Sequence, residues 1–490
     1  MNLLVPTSTL GWIVFGLDMV LRLVALGVIP GNRKPSTGMA WLLLILIEPI
    51  IGFTVFLLFG RIRLGNRRIT RQRTAIAAIR ERSDALPLSF DTARLPAPAA
   101  GVVRLNQNLG ALPITGGNEV ELWSDYRALM AEMAREIDRA RSHVHVQFYI
   151  TAWDDVTDPV FQAMIRATGR GVDVRLLFDH IGSRRIPGYR TMVKRLRGTE
   201  IAWHPMLPIN PLRGRFRRPD LRNHRKILVV DGSVGFTGSL NLTEPCYNKP
   251  ANQRLGREWV ELMVRVEGPV VGALNAVFAS DWYVETGDVV DLVAVHGEQD
   301  RRPEEVFDVP CQVVPSGPGI VAENNLRMFT TLLYSATRRI SLTSPYFVPD
   351  ESLLYAVTTA AERGIDVELF VSEVSDQFLV GHAQASYYKA LLEAGVRIYQ
   401  YPAPYILHSK HFTIDDDVAV VGSSNMDMRS FALNYEVSLM MPDPAVVAKM
   451  RRVEDAYRAL SKELTLTAWQ ERSPGAKYVD NVARLTAALQ

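Results

Sequence analysis

The sequence predicts an α/β protein made of two tandem α/β sandwich halves preceded by a two-helix transmembrane hairpin. Three observations predict it. Two apolar stretches near the start are each long enough to cross a bilayer, apolar strands alternate with amphipathic helices through the rest, and one order of elements occurs twice, about 185 residues apart. A chain of 490 residues, 48% hydrophobic and 22% charged, can bury a large core and is neither disordered nor a small disulfide scaffold. Its 55 Lys+Arg against 52 Asp+Glu leave a formal charge of +3, which excludes a whole-chain polycation that coats nucleic acid. Cys246 and Cys311 lack the paired spacing of a zinc or redox motif and read as ordinary buried thiols.

The hairpin is assigned to residues 1–60. Its apolar stretches, 10–29 and 39–59, are broken only by Asp18, Arg22 and Glu48. At about 1.5 Å per helical residue each spans a hydrocarbon core of about 30 Å. The connector 30–38 is rich in helix breakers, and residues 1–9 carry no charge, which argues against a secretory signal peptide. Asp18 and Arg22, four apart, neutralise each other on one helix face. Arg33 and Lys34 lie in the connector, while Arg61, Arg63, Arg67, Arg68, Arg71 and Arg73 follow the second stretch, so the rest of the chain is expected on the cytoplasmic side. Residues 61–117 read as a basic juxtamembrane segment, resting on anionic headgroups, followed by a linker.

The first half is assigned to 118–285. Ser124 and Asp125 can cap an amphipathic helix that runs to Ala140, and the strand-like residues 143–150 follow. The same order returns with a helical run over 324–337 and a strand at 340–348; residues 171–178 are likewise answered by 364–371. A polar linker at 286–309 divides the halves, and the second half with a helical tail occupies 310–490.

Each half carries one copy of a chemical motif. His224-Arg-Lys226 leads through four apolar residues to Asp231, and after six more comes Gly238-Ser239-Leu-Asn241. His408-Ser-Lys410 leads likewise to Asp415 and, after six residues, to Gly422-Ser423-Ser-Asn425. A single HxKx4D arises by chance in on the order of one chain in 50; two copies with GSxN at one offset do not. On a strand, His and Lys at i and i+2 share a face about 6.5 Å apart, which sets a nucleophilic imidazole beside an ammonium and suits a phosphate. Ser239, Asn241, Ser423 and Asn425 supply donors for phosphate oxygens beside a glycine. Glu261 and Glu436 follow the two motifs at similar distances, and a carboxylate can orient a histidine through its far nitrogen. His180, His204 and His411 have no duplicate and read as structural or surface groups. No HExxH or comparable ligand spacing occurs, so no metal and no cofactor are expected.

These residues resemble the paired HKD motifs of the phospholipase D superfamily, and over nearly its whole length the chain is similar to the bacterial cardiolipin synthases. The likeness extends to Ala40-Trp-Leu-Leu, Phe59-Gly-Arg61, the stretch around Asn223–Gly232, Val234-Gly-Phe-Thr-Gly238, Arg265-Val-Glu-Gly-Pro269, Pro345-Tyr-Phe-Val-Pro-Asp350 and Arg429-Ser-Phe-Ala-Leu-Asn-Tyr-Glu436. Ser239 and Ser409 are small departures at variable sites. The resemblance implies phosphatidyl transfer between two phosphatidylglycerol molecules to give cardiolipin and glycerol, with no nucleic acid as partner and the oligomeric state left open, a homodimer included. It implies a multi-pass enzyme of the bacterial cell membrane, with two spans. It also implies His224 as nucleophile, His408 as acid and then base, and Lys226, Lys410, Asn241 and Asn425 as charge stabilisers. Asp231 and Asp415 belong to the motifs but sit where a structural turn bond is as good a reading as a catalytic one. Hydrolysis to phosphatidic acid by a phospholipase uses the same groups, and a nuclease of the superfamily is disfavoured by the apolar stretches and the near-neutral charge. Residues 205–222, with Met206, Leu207, Leu212, Arg213, Arg215, Phe216, Arg217 and Arg218, are expected to form a membrane-facing lip.

Overall fold

The computed structural model describes residues 8–31, 35–60, 65–84, 90–110, 112–209, 220–290, 308–319 and 323–487. The chain divides into two compact units, one ending at Leu64 and the other beginning at Gly65.

In the first unit, helix α1 (Thr9–Val28) is apolar apart from Asp18 and Arg22, and Ser8 caps it by accepting from the Gly11 N–H at 3.1 Å. Asp18 and Arg22 pair at 2.9 Å, as their spacing predicts. It alone among the described helices is long and apolar enough to cross a membrane. The second apolar stretch departs from expectation. Instead of one helix over 39–59 there are two, α2 (Pro35–Ile47) and α3 (Pro49–Phe59), separated at Glu48. The cause is Pro49, whose ring drives the preceding residue out of the helical region; Glu48 sits at φ −131°, ψ 84°. The two helices fold back on each other. Gly52 lies so close to Ile45 that a Cβ there would stand 2.8 Å from the Ile45 Cα, and the Trp41 and Phe56 rings meet edge to face at 5.5 Å. Ile45 and Phe56 share a small core with Ala25 and Ile29 of α1.

The second unit is organised by one long mixed sheet whose two halves mirror each other about its centre. Strands Thr115–Trp123 and Val309–Ser316 pair antiparallel there, so the sheet runs unbroken from one half into the other. Outward from the centre come Met263–Glu267, Val234–Gly238, Ile227–Val230, His143–Phe148, Asp173–Asp179 and Ala202–Met206 on one side. Asn434–Met441, Val418–Gly422, His411–Ile414, Arg339–Thr343, Asp366–Ser372 and Arg397–Tyr401 answer them on the other. The outer three strands of each set are parallel, joined by crossover helices, and the motif strands are antiparallel hairpins. Because helices cover both faces, both sides of the central strands are buried; His143–Phe148 is buried at every position, with His145 bonded to Asn275 and Gln147 to Asp281. Each half has its own core, and a third core around Val120, Val264, Val313, Val421 and Val437 joins them.

Two segments of the expected linker region are helical. Helix α4 (Asn66–Asp84) packs on helix Val270–Thr286, and α5 (Ala97–Asn108) buries Val102 and Val103 in the second core. The expectation that the basic segment rests on headgroups is corrected for two arginines. Arg68 is buried in an ion pair with Glu285 and lies 5.4 Å from the Tyr435 ring, while Arg71 donates to the Val284 carbonyl at 3.3 Å. Arg67 and Arg73 are exposed; Arg61 and Arg63 lie outside the described residues. Replacing Arg68 with Ala removes the cation that the buried Glu285 carboxylate faces, and is expected to cost about 3–5 kcal/mol of stability. Arg67→Ala should change little, and denaturation midpoints of the two variants compare them directly. The proposed lip fares differently in its parts: Met206 and Leu207 are core residues, and 210–219 lie outside the described residues. So does most of the inter-half linker, at 291–307.

Candidate active site

Both motif histidines emerge from short strands that pair with the opposite half. Arg222–Asn223 runs parallel to Asn434–Tyr435, and the His224 N–H donates to the Tyr435 carbonyl at 2.8 Å. Ile406–Leu407 runs parallel to Trp259–Val260, and the His408 N–H donates to the Val260 carbonyl at 2.8 Å. The pairing crosses the carboxylates. His224 Nδ1 meets Glu436 of the second half at 3.0 Å, whereas His408 Nδ1 meets Glu261 of the first half at 2.7 Å. A carboxylate on Nδ1 fixes that nitrogen as the proton-bearing one and leaves Nε2 free.

All of these groups are buried, and their charges act on one another. Burial drives the His224 imidazole well below the usual histidine range, and Lys226, Lys410 and His408 push in the same direction. Burial also lowers His408, but Glu261 pulls it back up. Burial lowers Lys226 far below the usual lysine range and brings Lys410 to about 8, each countered by Glu261 and Glu436. Glu436 is pushed up to about 7 by burial, against the pull of Lys226. The two lysines donate to the carbonyls of their own motif histidines, Lys226 to His224 and Lys410 to His408, each at 2.5 Å. A buried centre holding two imidazoles, two lysine amines and two carboxyl groups can bind a monoanion and pass protons to and from it.

The serines take other places than expected. Ser239 donates to Glu261 at 2.6 Å and accepts the Leu262 N–H, and Ser423 does the same with Glu436 and the Val437 N–H. Each hydroxyl thus holds a carboxylate, where a donor to phosphate was expected. Asn241 donates to the Tyr247 hydroxyl at 2.8 Å and accepts from the Ile150 N–H at 3.2 Å. Asn425 donates to Asp427 at 3.1 Å, while its Oδ1 is buried with no hydrogen bond.

Asp231 and Asp415 make backbone turn bonds, in keeping with the structural of the two readings. The strands Ile227–Val230 and His411–Ile414 lie between each aspartate and its motif histidine. Both adopt positive φ, +51° and +49°, at the hairpin turn. Asp231 accepts the N–H groups of Arg141, Ser142 and His143 at 2.8–2.9 Å. Asp415 accepts those of Thr337, Arg338 and Arg339, together with the Thr337 hydroxyl. These bonds hold the Asp415 carboxyl below the usual carboxylate range, so the stability it contributes is present at neutral pH and is lost as pH falls through its lowered folded pKa. Asp231→Ala or Asp415→Ala should therefore lower the thermal midpoint by several degrees and leave the turnover of correctly folded protein near that of the parent; loss of turnover at unchanged stability would reverse the assignment.

Several contributors escaped the motif search. Tyr149 stands edge-on to His224 at 4.8 Å and 5.5 Å from the Lys226 ammonium; Tyr346 stands edge-on to His408 at 6.4 Å and donates to Asp376. Their signal was present, since both tyrosines fall at the ends of equivalent repeated strands. Arg225, between His224 and Lys226, donates to the Glu436 and Ser316 carbonyls and to Asp281, fixing the backbone that carries the carboxylate. His411 is buried on its strand, with burial lowering it to about 3, and His180 and His204 are partly exposed. Cys311 is buried and Cys246 partly so. Among the described residues no group of three or more His, Cys, Asp or Glu is placed to hold a metal.

The mirrored sheet and its doubled His–Lys centre define the phospholipase D-like class. The family described as cardiolipin synthase, PLD-like domain, matches residues 133–282 and 329–456. Cardiolipin synthase A of Pectobacterium carotovorum subsp. carotovorum (strain PC1) is 32% identical over 483 residues, covering 97% of each chain. Cardiolipin synthase A of Yersinia pseudotuberculosis serotype O:1b (strain IP 31758) is 33% identical over 476 residues, covering 95% of each. The chain belongs to the cardiolipin synthase family. In fold it is similar to the crystal structure of a phosphatidylserine synthase from Haemophilus influenzae Rd KW20, with a TM-score of 0.60 at 15% identity over 79% of this chain and 99% of that one.

Proposed function

We propose that the chain joins two phosphatidylglycerol molecules into cardiolipin and glycerol through a phosphatidyl-histidine on His224. Family membership carries the overall reaction, phosphatidyl transfer in cardiolipin synthesis. The observation that carries the mechanism is the crossed pair of carboxylate-held imidazoles in one buried centre. In the first step His224 Nε2 attacks the donor phosphorus, the bond from phosphorus to the glycerol oxygen breaks, and His408 gives that oxygen its proton. In the second, His408 takes the proton of the acceptor hydroxyl, whose oxygen attacks phosphorus while the phosphorus–nitrogen bond breaks. The choice of His224 as nucleophile follows the superfamily resemblance, since each imidazole is held by a carboxylate; burial lowers both, His224 the more strongly, and Glu261 opposes that shift at His408. An arriving phosphodiester is anionic and draws Lys226 and Lys410 back toward their charged forms, where they stabilise the equatorial oxygens. Glu261 and Glu436 are positioning residues, Ser239 and Ser423 hold them, and Asn241 and Asn425 line the same strand ends. Helix α1 supports a place in the bacterial cell membrane, and Arg61, Arg63 and the arginines that follow favour a cytoplasmic catalytic unit.

Mass spectrometry of lipids and released glycerol, after incubation of the purified protein with chelator-treated phosphatidylglycerol vesicles, tests the reaction. Cardiolipin and glycerol in equal amounts, absent with His224→Ala, are expected. Phosphatidic acid in place of cardiolipin would make the chain a hydrolase instead.

A further inference from the structure

The amino-terminal unit has the geometry of one full crossing and one half crossing. At 1.5 Å per residue, α1 measures about 30 Å, α2 about 20 Å and α3 about 16 Å. Only α1 matches a hydrocarbon core of about 30 Å; the other two match a single leaflet of about 15 Å. In a straight helix, Trp41 and Phe56 would stand about 22 Å apart, yet their rings touch at 5.5 Å. The corner is built for this return. Pro49 has no N–H to leave unpaired, the Glu48 N–H donates to the Leu44 carbonyl at 3.0 Å, and the Gly52 N–H donates to the Glu48 carbonyl at 2.7 Å. Only glycine at 52 permits the approach to Ile45. Outside the small core shared with α1, the hairpin turns Leu43, Ile47, Ile50 and Ile51 outward, each more than 60% exposed. An apolar surface of this kind, covered by none of the described residues, suits lipid.

The basic residues distinguish the two arrangements. Arg33 and Lys34 fall between α1 and α2, and Arg61 and Arg63 follow α3. Two full crossings would place these pairs on opposite sides of the bilayer. A fold-back hairpin returns the chain to the side it entered from, so all four share one face, as the positive-inside rule favours. Glu48 falls mid-stretch in either arrangement, so its cost near the bilayer centre favours neither.

We propose that the chain crosses the bilayer once, through α1, and that α2 and α3 form a re-entrant hairpin seated in the leaflet on the catalytic side. Residues ahead of α1 then lie on the opposite face from both the 30–38 connector and the catalytic unit. This rests on the membrane placement proposed above.

The test uses the full chain with Cys246 and Cys311 replaced by Ser, and one cysteine introduced as Thr7→Cys, Asn32→Cys or Asn66→Cys. Intact spheroplasts are treated with a membrane-impermeant maleimide, and cardiolipin formation confirms that each variant folds. Labelling of Thr7→Cys from outside is expected, with Asn32→Cys and Asn66→Cys labelled only after permeabilisation. Labelling of Asn32→Cys from outside with Thr7→Cys protected would overturn the hairpin in favour of two crossings. Recovery of the protein in the soluble fraction would instead overturn the membrane placement itself.

Discussion

His408→Ala incubated with a phosphatidyl donor bearing a p-nitrophenol leaving group should release one equivalent of p-nitrophenol and then stop, with the phosphatidyl group held on His224. Such a leaving group departs as a stable anion and needs no proton, so the first step proceeds without its acid. The second step does not, because an acceptor alcohol must lose its proton to His408 before it attacks. The trapped species should be acid-labile and should map to the peptide that contains His224. His224→Ala should give neither the burst nor the adduct, and its turnover with phosphatidylglycerol should fall to background, because the proposed nucleophile is gone. An adduct on His408 in the His224→Ala variant would exchange the two roles.

Glu261→Gln should lower kcat by roughly 10²–10⁴-fold while changing KM far less, because the amide no longer stabilises the imidazolium that forms during both proton transfers. It also has a pH signature. His408 is already held below the usual histidine range by burial, and Glu261 is the largest influence opposing that shift. Removing it lowers the imidazole further. The acid form is the one that protonates glycerol, so the limb on which activity falls with rising pH should move to lower pH. Glu436→Gln acts on the nucleophile instead and should leave that limb in place. A Glu261→Gln enzyme with reduced turnover but an unmoved limb would assign the carboxylate a purely structural part.

The chemistry of the centre was largely legible in the sequence because it depends on close spacing. His and Lys two apart, repeated with GSxN, come together in one buried centre, although they lie between strands and not on one as expected. The duplicated alternation of strands and helices likewise anticipated the mirrored sheet, since strands joined by crossover helices are buried on both faces. What was not legible is long-range. Nothing local reveals that Glu436 reaches His224 across 212 positions or that Glu261 reaches His408 across 147. Asp231 and Asp415 were ambiguous because a conspicuous spacing from histidine is set by strand length as readily as by chemistry. Arg68 looked like one more basic residue for headgroups until its distant partner Glu285 was in place. The second apolar stretch was misjudged for a different reason: hydropathy averages over Pro49, while the backbone does not.

The crossed carboxylates bear on how such a protein can change. A tandem repeat ordinarily lets one copy drift while the other keeps the activity, but here each copy supplies the support for its sibling's imidazole. A lesion at Glu436 in the later repeat is felt at His224 in the earlier one, so neither repeat can serve as a spare. A chimera that exchanges one repeat for a relative's must therefore carry compatible strand ends on both sides of the join, or it will mis-set two histidines at once.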